Sequence, residues 1–373
     1  MTRQTVKIIV FVILGITAAV MLFLAAFRYF KPERFTPVPS DEENAAVLND
    51  PASSLYVSED GGETWRGVAN TQFIPYHFLF IPQKKRLLIG TGESGVWEAD
   101  SGNLQSVERG GFGSILPENS IIYDFAVSRS QPVVYAAARY GSQGYLVSLE
   151  RPLRELFFAP LEDSPVRSVA LDPFAENHLL TGAGTGFFES KDGGATWKAI
   201  YRFKQAIRDI AIHPFVPGWY FVSTQKGEVF RTPDEGKTWE DLTRGFSRMR
   251  GTRENQRISV DAVSGILYIT SDHGLIASED DGSTWRDIPL IAPPDSLPII
   301  GFAVHPALYE TLYVSAGNQI YKSTDGGESW KGLRFPEKGS ITAIAVNPEN
   351  PTMVVIGFAQ KSNSRRSIFN FIR

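Results

Sequence analysis

Ser190-Lys191-Asp192-Gly193-Gly194-Ala195-Thr196-Trp197 is the phrase whose recurrence decides the fold. It returns at Ser58–Trp65 (SEDGGETW), Thr232–Trp239 (TPDEGKTW), Ser278–Trp285 (SEDDGSTW) and Ser323–Trp330 (STDGGESW), each time after a short apolar run such as Leu55-Tyr56-Val57. Between the central acids, Asp192 to Asp234 spans 42 residues, Asp234 to Asp280 spans 46 and Asp280 to Asp325 spans 45. Asp60 to Asp192 spans 132, three periods of 44, so two eroded copies belong in that gap. Glu98-Ala99-Asp100-Ser101-Gly102 keeps the acid and a glycine, and Ser148-Leu149-Glu150 keeps only the start. A period near 45 with several short strands per unit predicts an all-β, seven-bladed β-propeller, one unit per blade.

Each full unit reads as four strands, A to D, with the phrase between C and D. In blade four these are Val166–Leu171, His178–Thr181, Phe187–Ser190 and Trp197–Tyr201. The turn after strand A repeats as Asp172-Pro173, His213-Pro214, His305-Pro306 and Asn347-Pro348, where proline fixes φ and ends the strand. The propeller region, 53–373, begins with a strand C (Leu55–Ser58) and closes with an A and B pair (Ile341–Val346, Met353–Phe358) that has no phrase behind it. Joined, they make one composite blade beside six complete ones and remove the exposed edges of an open array. Ser367–Ile372 competes with Leu55–Ser58 for the strand C position.

The phrase has a structural logic. The acids Asp60, Asp192, Asp234, Asp280 and Asp325 can accept backbone N–H groups in a tight turn, and the fifth-position glycine can take φ > 0. The closing Trp65, Trp197, Trp239, Trp285 and Trp330 can pack between neighbouring blades. Asp280-Asp281-Gly282 superficially matches a calcium loop, but the acid spacing and terminal Glu of an EF-hand are missing, so no metal is expected.

Residues 8–27 carry no charge for 20 positions between Lys7 and Arg28, enough at 1.5 Å per residue to span the ~30 Å hydrocarbon layer. A cleaved signal peptide would have a shorter apolar region of about 7–15 residues before a small-x-small site. The reading is therefore an uncleaved transmembrane anchor after a short tail, 1–7, and before a polar stalk, 28–52, with the acidic run Asp41-Glu42-Glu43. Positive charges flank both ends, so orientation rests on the habit of N-terminal anchors to export the domain that follows. That places the propeller of a single-pass membrane protein on the extracytoplasmic side: periplasm, cell surface or lumen. A net charge of −4 argues against nucleic acid as a partner, and the absence of cysteine removes disulfides and thiolate chemistry.

The phrase resembles the Asp-box, or BNR, repeat shared by sialidases, xyloglucan-cleaving glycosidases, sortilin-type receptors and the photosystem II assembly factor. The resemblance covers residues 53–373 and implies the propeller fold; it does not fix a function. A sialidase would be expected to show an Arg-Ile-Pro element and six blades, and neither is found. Xyloglucan-cleaving relatives use two propellers with acids facing a cleft, and sortilin-type receptors add a cysteine-rich module. The style closest to this chain is that of the single-propeller assembly factor, including its Asn-Pro-x-Asn-Pro turns, as at Asn347–Pro351.

Because strands alternate direction, A–B turns and phrases share one face while B–C and D–A loops share the other. Cations collect on the second face. The loop between blades five and six carries Arg244, Arg248, Arg250, Arg253 and Arg257, with Arg202, Lys204, Arg139 and Arg109 on neighbouring connections. Counting back six residues from Pro173 and Pro214 gives Arg167 and Arg208, at one point near the start of the innermost strand, so both should line the channel mouth. This face is expected to bind an anionic partner, since guanidinium forks suit carboxylates and phosphates. In the alternative arrangement Arg167 and Arg208 pair with Asp124 and Asp209, and the loop arginines are solvated surface. A protein partner, such as a membrane protein or complex, is favoured, carbohydrate stays open and no cofactor is called for.

Catalytic signatures are sparse. The histidines are scattered, with His213 and His305 in turn positions, and His-Glu-x-x-His, nucleophile-elbow and phosphate-loop motifs are absent. Asp124 and Asp209 on inner strands are the acid pair a glycan-active hydrolase could use. The leading function is a noncatalytic binding or assembly propeller held at a membrane.

Overall fold

A computed structural model of the chain describes residues 53–128, 133–159, 164–290 and 298–360. They form seven four-stranded antiparallel sheets, the blades of a closed propeller. The inner strands A are Gly339–Val346, Pro75–Ile81, Ile121–Val127, Val166–Leu171, Ile207–Ile212, Arg257–Val260 and Ile299–Val304 for blades one to seven. The expected anchor 8–27, the stalk 28–52 and Ser367–Ile372 lie outside the described residues. Among the described residues no helix is long and apolar enough to cross a membrane.

Closure takes the composite form. Leu55–Ser58 inserts as strand C beside strand B, Val354–Gln360, pairing Leu55 with Gly357 and Ser58 with Val354, and Arg66–Gly67 adds strand D. One blade thus ties the two ends of the propeller together through backbone hydrogen bonds. The eroded repeats are blades two and three: Asp100 still accepts the Gly102 N–H at 2.7 Å, while Glu150 instead pairs with Lys84 at 2.6 Å.

The repeated phrase is a closed hydrogen-bond unit. In blade four the Ser190 hydroxyl donates to Asp192 at 2.8 Å and accepts the Gly194 N–H at 2.8 Å, and Asp192 accepts the Thr196 N–H at 2.9 Å and its hydroxyl at 2.6 Å. The same bonds recur around Asp60, Asp234, Asp280 and Asp325. These donors hold Asp192 down at about 2, with the Thr196 hydroxyl the largest cause. The fifth-position glycine has φ of +84 to +99 in all five copies, conformations that L side chains rarely adopt. A Cβ there would also strike the preceding blade, 2.5 Å from Leu333 at Gly62 and 2.4 Å from Leu242 at Gly282.

The tryptophans close the wedges. Trp65 meets Phe335 edge-on at 6.0 Å, Trp197 meets Phe157 and donates its indole N–H to the Leu156 carbonyl at 2.8 Å, Trp239 packs on Phe187 and Phe203, and Trp285 on Phe246. Each reaches back to the blade before it. Trp330 packs into the cluster shared by Tyr268 and Ile288 of blade six with Leu312 of blade seven. With fully buried strands such as Tyr220–Thr224 and Leu312–Ala316, the core is a ring of wedges between blades rather than one centre. Each buried aromatic in it contributes roughly 2–3 kcal/mol from area removed from water.

Candidate functional site

The inner strands shape the mouth of the central channel on the face away from the phrases. In six blades the A–B register slips by one or more residues near the start of strand A, as between Val166 and Ser168 or between Ile207 and Asp209. A bulge of this kind re-aims a side chain. The bulged residues Arg167, Arg208, Tyr76, Tyr123 and Thr342 all line one cavity of about 270 Å³, together with Ile300. Arg257 joins them from blade six, whose inner strand pairs without a slip.

Three guanidinium groups therefore converge on one small cavity. Arg167 lies over the Tyr123 ring at 4.8 Å, and the Arg257 Nε–H donates to Asp209 at 2.8 Å. Burial, with Arg257 nearby, depresses Arg208 to about 10, and burial also lowers Arg167. His77 in the same lining is pushed down to about 3 by burial and Arg257, so it stays neutral at ordinary pH. Burial is the largest cause of all three shifts, with the charge of Arg257 adding to it, so the cations stand close together in a poorly solvated site.

The carboxylates nearby are structural. Asp209 Oδ2 accepts the Ser223 hydroxyl at 3.1 Å and the Ile258 N–H of the next blade at 3.2 Å. Asp124 Oδ2 likewise accepts the Ser168 hydroxyl at 2.9 Å and the Val169 N–H at 3.1 Å, and the Ser168 oxygen in turn accepts the Ile210 N–H at 3.1 Å. One belt position in blades three, four and five thus fastens each blade to the next, and Arg257 occupies that position in blade six. Burial raises Asp124 to about 6 in spite of these donors.

Beside the cavity, the loop from blade five to blade six is pinned from within and basic outside. Phe246 packs on Trp285, Gln256 donates to the carbonyls of Gly227 and Thr252, and Asn255 donates to Asp272. Arg244, Arg248, Arg250 and Arg253 project to solvent; among the described residues none of the four has a carboxylate within 4.0 Å. The Arg253 Nε–H donates to the Lys226 carbonyl at 3.0 Å. The structure thus divides the arginines singled out by sequence: Arg167, Arg208 and Arg257 meet in the cavity, and the other four form an exposed rim. Arg109 is neutralised by Glu118 at 2.7 Å, and Arg202 donates to the Thr185 hydroxyl. Tyr76, Tyr123 and His77 were not singled out by sequence; counting six residues back from Pro82, Pro306 and Pro348 lands on Tyr76, Ile300 and Thr342, the same rule that found the arginines.

His213 and His305 act as turn acceptors, each taking two backbone N–H groups on Nδ1 at 3.0–3.1 Å. Among the described residues no group of three or more His, Asp or Glu is arranged to hold a metal.

No family model matches the chain. Among curated proteins, a xyloglucanase of Hypocrea jecorina is 33% identical over 141 residues, covering 35% of this chain and 16% of the relative. A xyloglucanase of Paenibacillus sp is 27% identical over 261 residues, covering 52% and 25%, so the chain spans a quarter or less of these relatives' length. Among solved structures, the GH74 xyloglucanase from Xanthomonas campestris superposes with a TM-score of 0.62 at 18% identity, over 81% of this chain and 52% of that one. YCF48 bound to D1 peptide superposes with a TM-score of 0.56 at 14% identity, over 87% of this chain and 100% of the other. At these identities the likeness establishes the fold: the chain is a seven-bladed β-propeller of the architecture found in GH74 enzymes and in YCF48.

Proposed function

We propose that the protein is a membrane-anchored, noncatalytic propeller that binds an anionic segment of a protein partner on its arginine face, as a binding or assembly factor. The observation that carries this reading is the convergence of Arg167, Arg208 and Arg257 on one cavity beside the exposed Arg244–Arg253 rim. Paired carboxylates of an acidic segment would find buried forks inside and screened charges outside, the first giving specificity and the second faster encounter. The likeness to a propeller solved with a bound peptide supports a protein ligand. The anchor at 8–27, with the propeller on the extracytoplasmic side, would keep the protein at the membrane, among membrane proteins. The test is fluorescence anisotropy of a labelled glutamate-rich peptide with the full-length chain. Arg167→Ala with Arg208→Ala should weaken binding about tenfold or more, and added salt should weaken it further. Equal affinity for wild type and variant would refute the reading.

A glycan-active hydrolase is the second reading, favoured by the partial identity to xyloglucanases. Glycoside cleavage needs two carboxylates across the bond. Among the described residues, Asp209 is the one acid in the cavity lining, and it is ion-paired to Arg257. Turnover of chromogenic β-glycosides that disappears in Asp124→Asn would favour this reading instead.

A further inference from the structure

The face that carries the phrases has an unexplained feature of its own. Large apolar side chains stand exposed at the A–B turns of four successive blades: Phe174 at 47%, Phe215 at 54%, Val263 at 45% and Leu308 at 60%. Side chains of this size, half exposed, together present on the order of 400 Å² of apolar surface, the size of the largest apolar patch on a typical monomer, which is often functional. Each is held out by the turn beneath it. Asp172 accepts the Phe174 N–H at 2.9 Å, His213 that of Phe215 at 3.1 Å, Asp261 that of Val263 at 3.3 Å, and His305 that of Leu308 at 3.0 Å. The turns are thus preorganised, and ordering them on binding costs little. Phe215 leans over the next turn, where a Cβ on Gly265 would lie 3.3 Å from its ring. Inside this crescent is a cavity of about 360 Å³ lined by Phe174, Pro173, Leu171, Pro214, Val260 and Ala262.

The surroundings are acidic. Exposed Glu176 and Glu310 lie in the same turns, and the phrase aspartates of blades four to seven stand around them on the same face. Backbone and hydroxyl donors keep Asp192, Asp234 and Asp280 below the usual carboxylate range, so their charge is fixed under all ordinary conditions. Of the cations nearby, Lys191 is taken up by Glu235 at 3.0 Å and Glu189 at 3.7 Å, and Lys237 and Lys322, the latter close enough to His305 to lower its pKa, stand against the acids of the face.

We infer that the apolar crescent of blades four to seven is a second docking surface, for a cationic amphipathic segment of another protein. Its apolar side chains would fill the cavity between the turns and its Lys or Arg residues would meet the acidic ring. Charge complementarity selects this occupant: an anionic membrane surface would be repelled by the same acids. A second copy docking its arginine face here would make an open, head-to-tail contact. The surface lies opposite the arginine site and does not depend on it.

The experiment uses the full-length chain in zwitterionic nanodiscs and a fluorescein-labelled leucine–lysine amphipathic peptide, read by anisotropy against empty nanodiscs. A leucine–glutamate peptide of the same pattern is the control. Binding is expected for the lysine peptide alone, with at least tenfold loss in Phe174→Ser/Phe215→Ser/Val263→Ser at an unchanged melting temperature. Arg248→Glu/Arg250→Glu/Arg253→Glu should leave it unchanged, which separates this surface from the arginine site. If the triple serine variant loses its melting transition, Phe215→Ser alone takes its place, with about threefold loss expected. Equal binding of both peptides, or of wild type and the serine variant, would overturn the inference. So would self-association in sedimentation that the serine variant abolishes, because the occupant would then be a second copy.

Discussion

Two adjacent glycines in the blade-seven phrase separate the two reasons for glycine in this fold. Both Gly326 (φ +69) and Gly327 (φ +93) adopt positive φ, but a Cβ on Gly326 meets nothing within 4 Å, whereas one on Gly327 lies 2.3 Å from Ile288 Cγ2. Ordinary carbon contacts sit at about 3.5–4.0 Å. Ile288 cannot swing aside, because it is buried between blades and its branched Cβ restricts χ1. Gly326→Ala should therefore cost only the left-handed backbone, about 1 kcal/mol. Gly327→Ala adds an overpacking strain of roughly 1–3 kcal/mol, for a total of about 2–4 kcal/mol. Gly62→Ala should fall between them, since the atom it meets is the Cδ1 of Leu333, which can rotate. Urea denaturation followed by tryptophan fluorescence measures all three. Equal losses at Gly326 and Gly327 would refute the claim that the fifth-position glycine is required by the preceding blade as well as by its own φ.

Three further outcomes follow from the electrostatics. Because Asp192 is held at about 2, below its ordinary 3.8, its contribution to stability is present above about pH 3.8 and lost as pH falls through about 2; Asp192→Asn should flatten that limb in an acid titration of tryptophan fluorescence. Asp124 has the opposite sign: with its carboxyl raised to about 6, the folded state binds the proton more tightly, so stability should fall as pH rises from about 4 to about 6 and then level off. Asp124→Asn, which keeps an acceptor for Val169, should remove that dependence, worth at most about 3 kcal/mol, in urea midpoints measured across the window. Arg257→Met strands the buried Asp209 carboxylate and should cost about 1–3 kcal/mol, discounted for the partly exposed arginine; a double variant with Asp209→Asn should recover part of the loss.

The architecture was legible because its determinants are local. Ser58, Asp60 and Thr64 close their hydrogen bonds within seven residues, so the unit repeats as a string, and the missing strands at the two ends count to a seventh blade. The register of Arg167 and Arg208 was legible for the same reason, since turn prolines mark a fixed distance along strand A. Blade six escaped that rule. It has Ala262, and blade three Arg129, where the other five have proline; in blade six the count gives Gln256, a buried residue that holds the loop, and Arg257 enters the cavity from the next position. The belt from Asp124 through Ser168 to Ile210 needs blades to be neighbours, which no single repeat records. Consecutive polar pairs inside inner strands, Arg167-Ser168 and Arg208-Asp209, were the available sign of a bulge, because regular alternation would hide one of the two. Phe174, Phe215 and Leu308 follow turn prolines and could equally have folded inward; their exposure is set by the side-chain caps beneath them.

Affinity purification of the full-length chain from its own membranes tests the central claim most directly, with wild type compared against Arg248→Glu/Arg250→Glu/Arg253→Glu by quantitative mass spectrometry. The account predicts a defined co-purifying protein with an acidic segment, depleted about tenfold or more in the variant while the propeller melts as in wild type. The same partners recovered in the same amounts from both would contradict it.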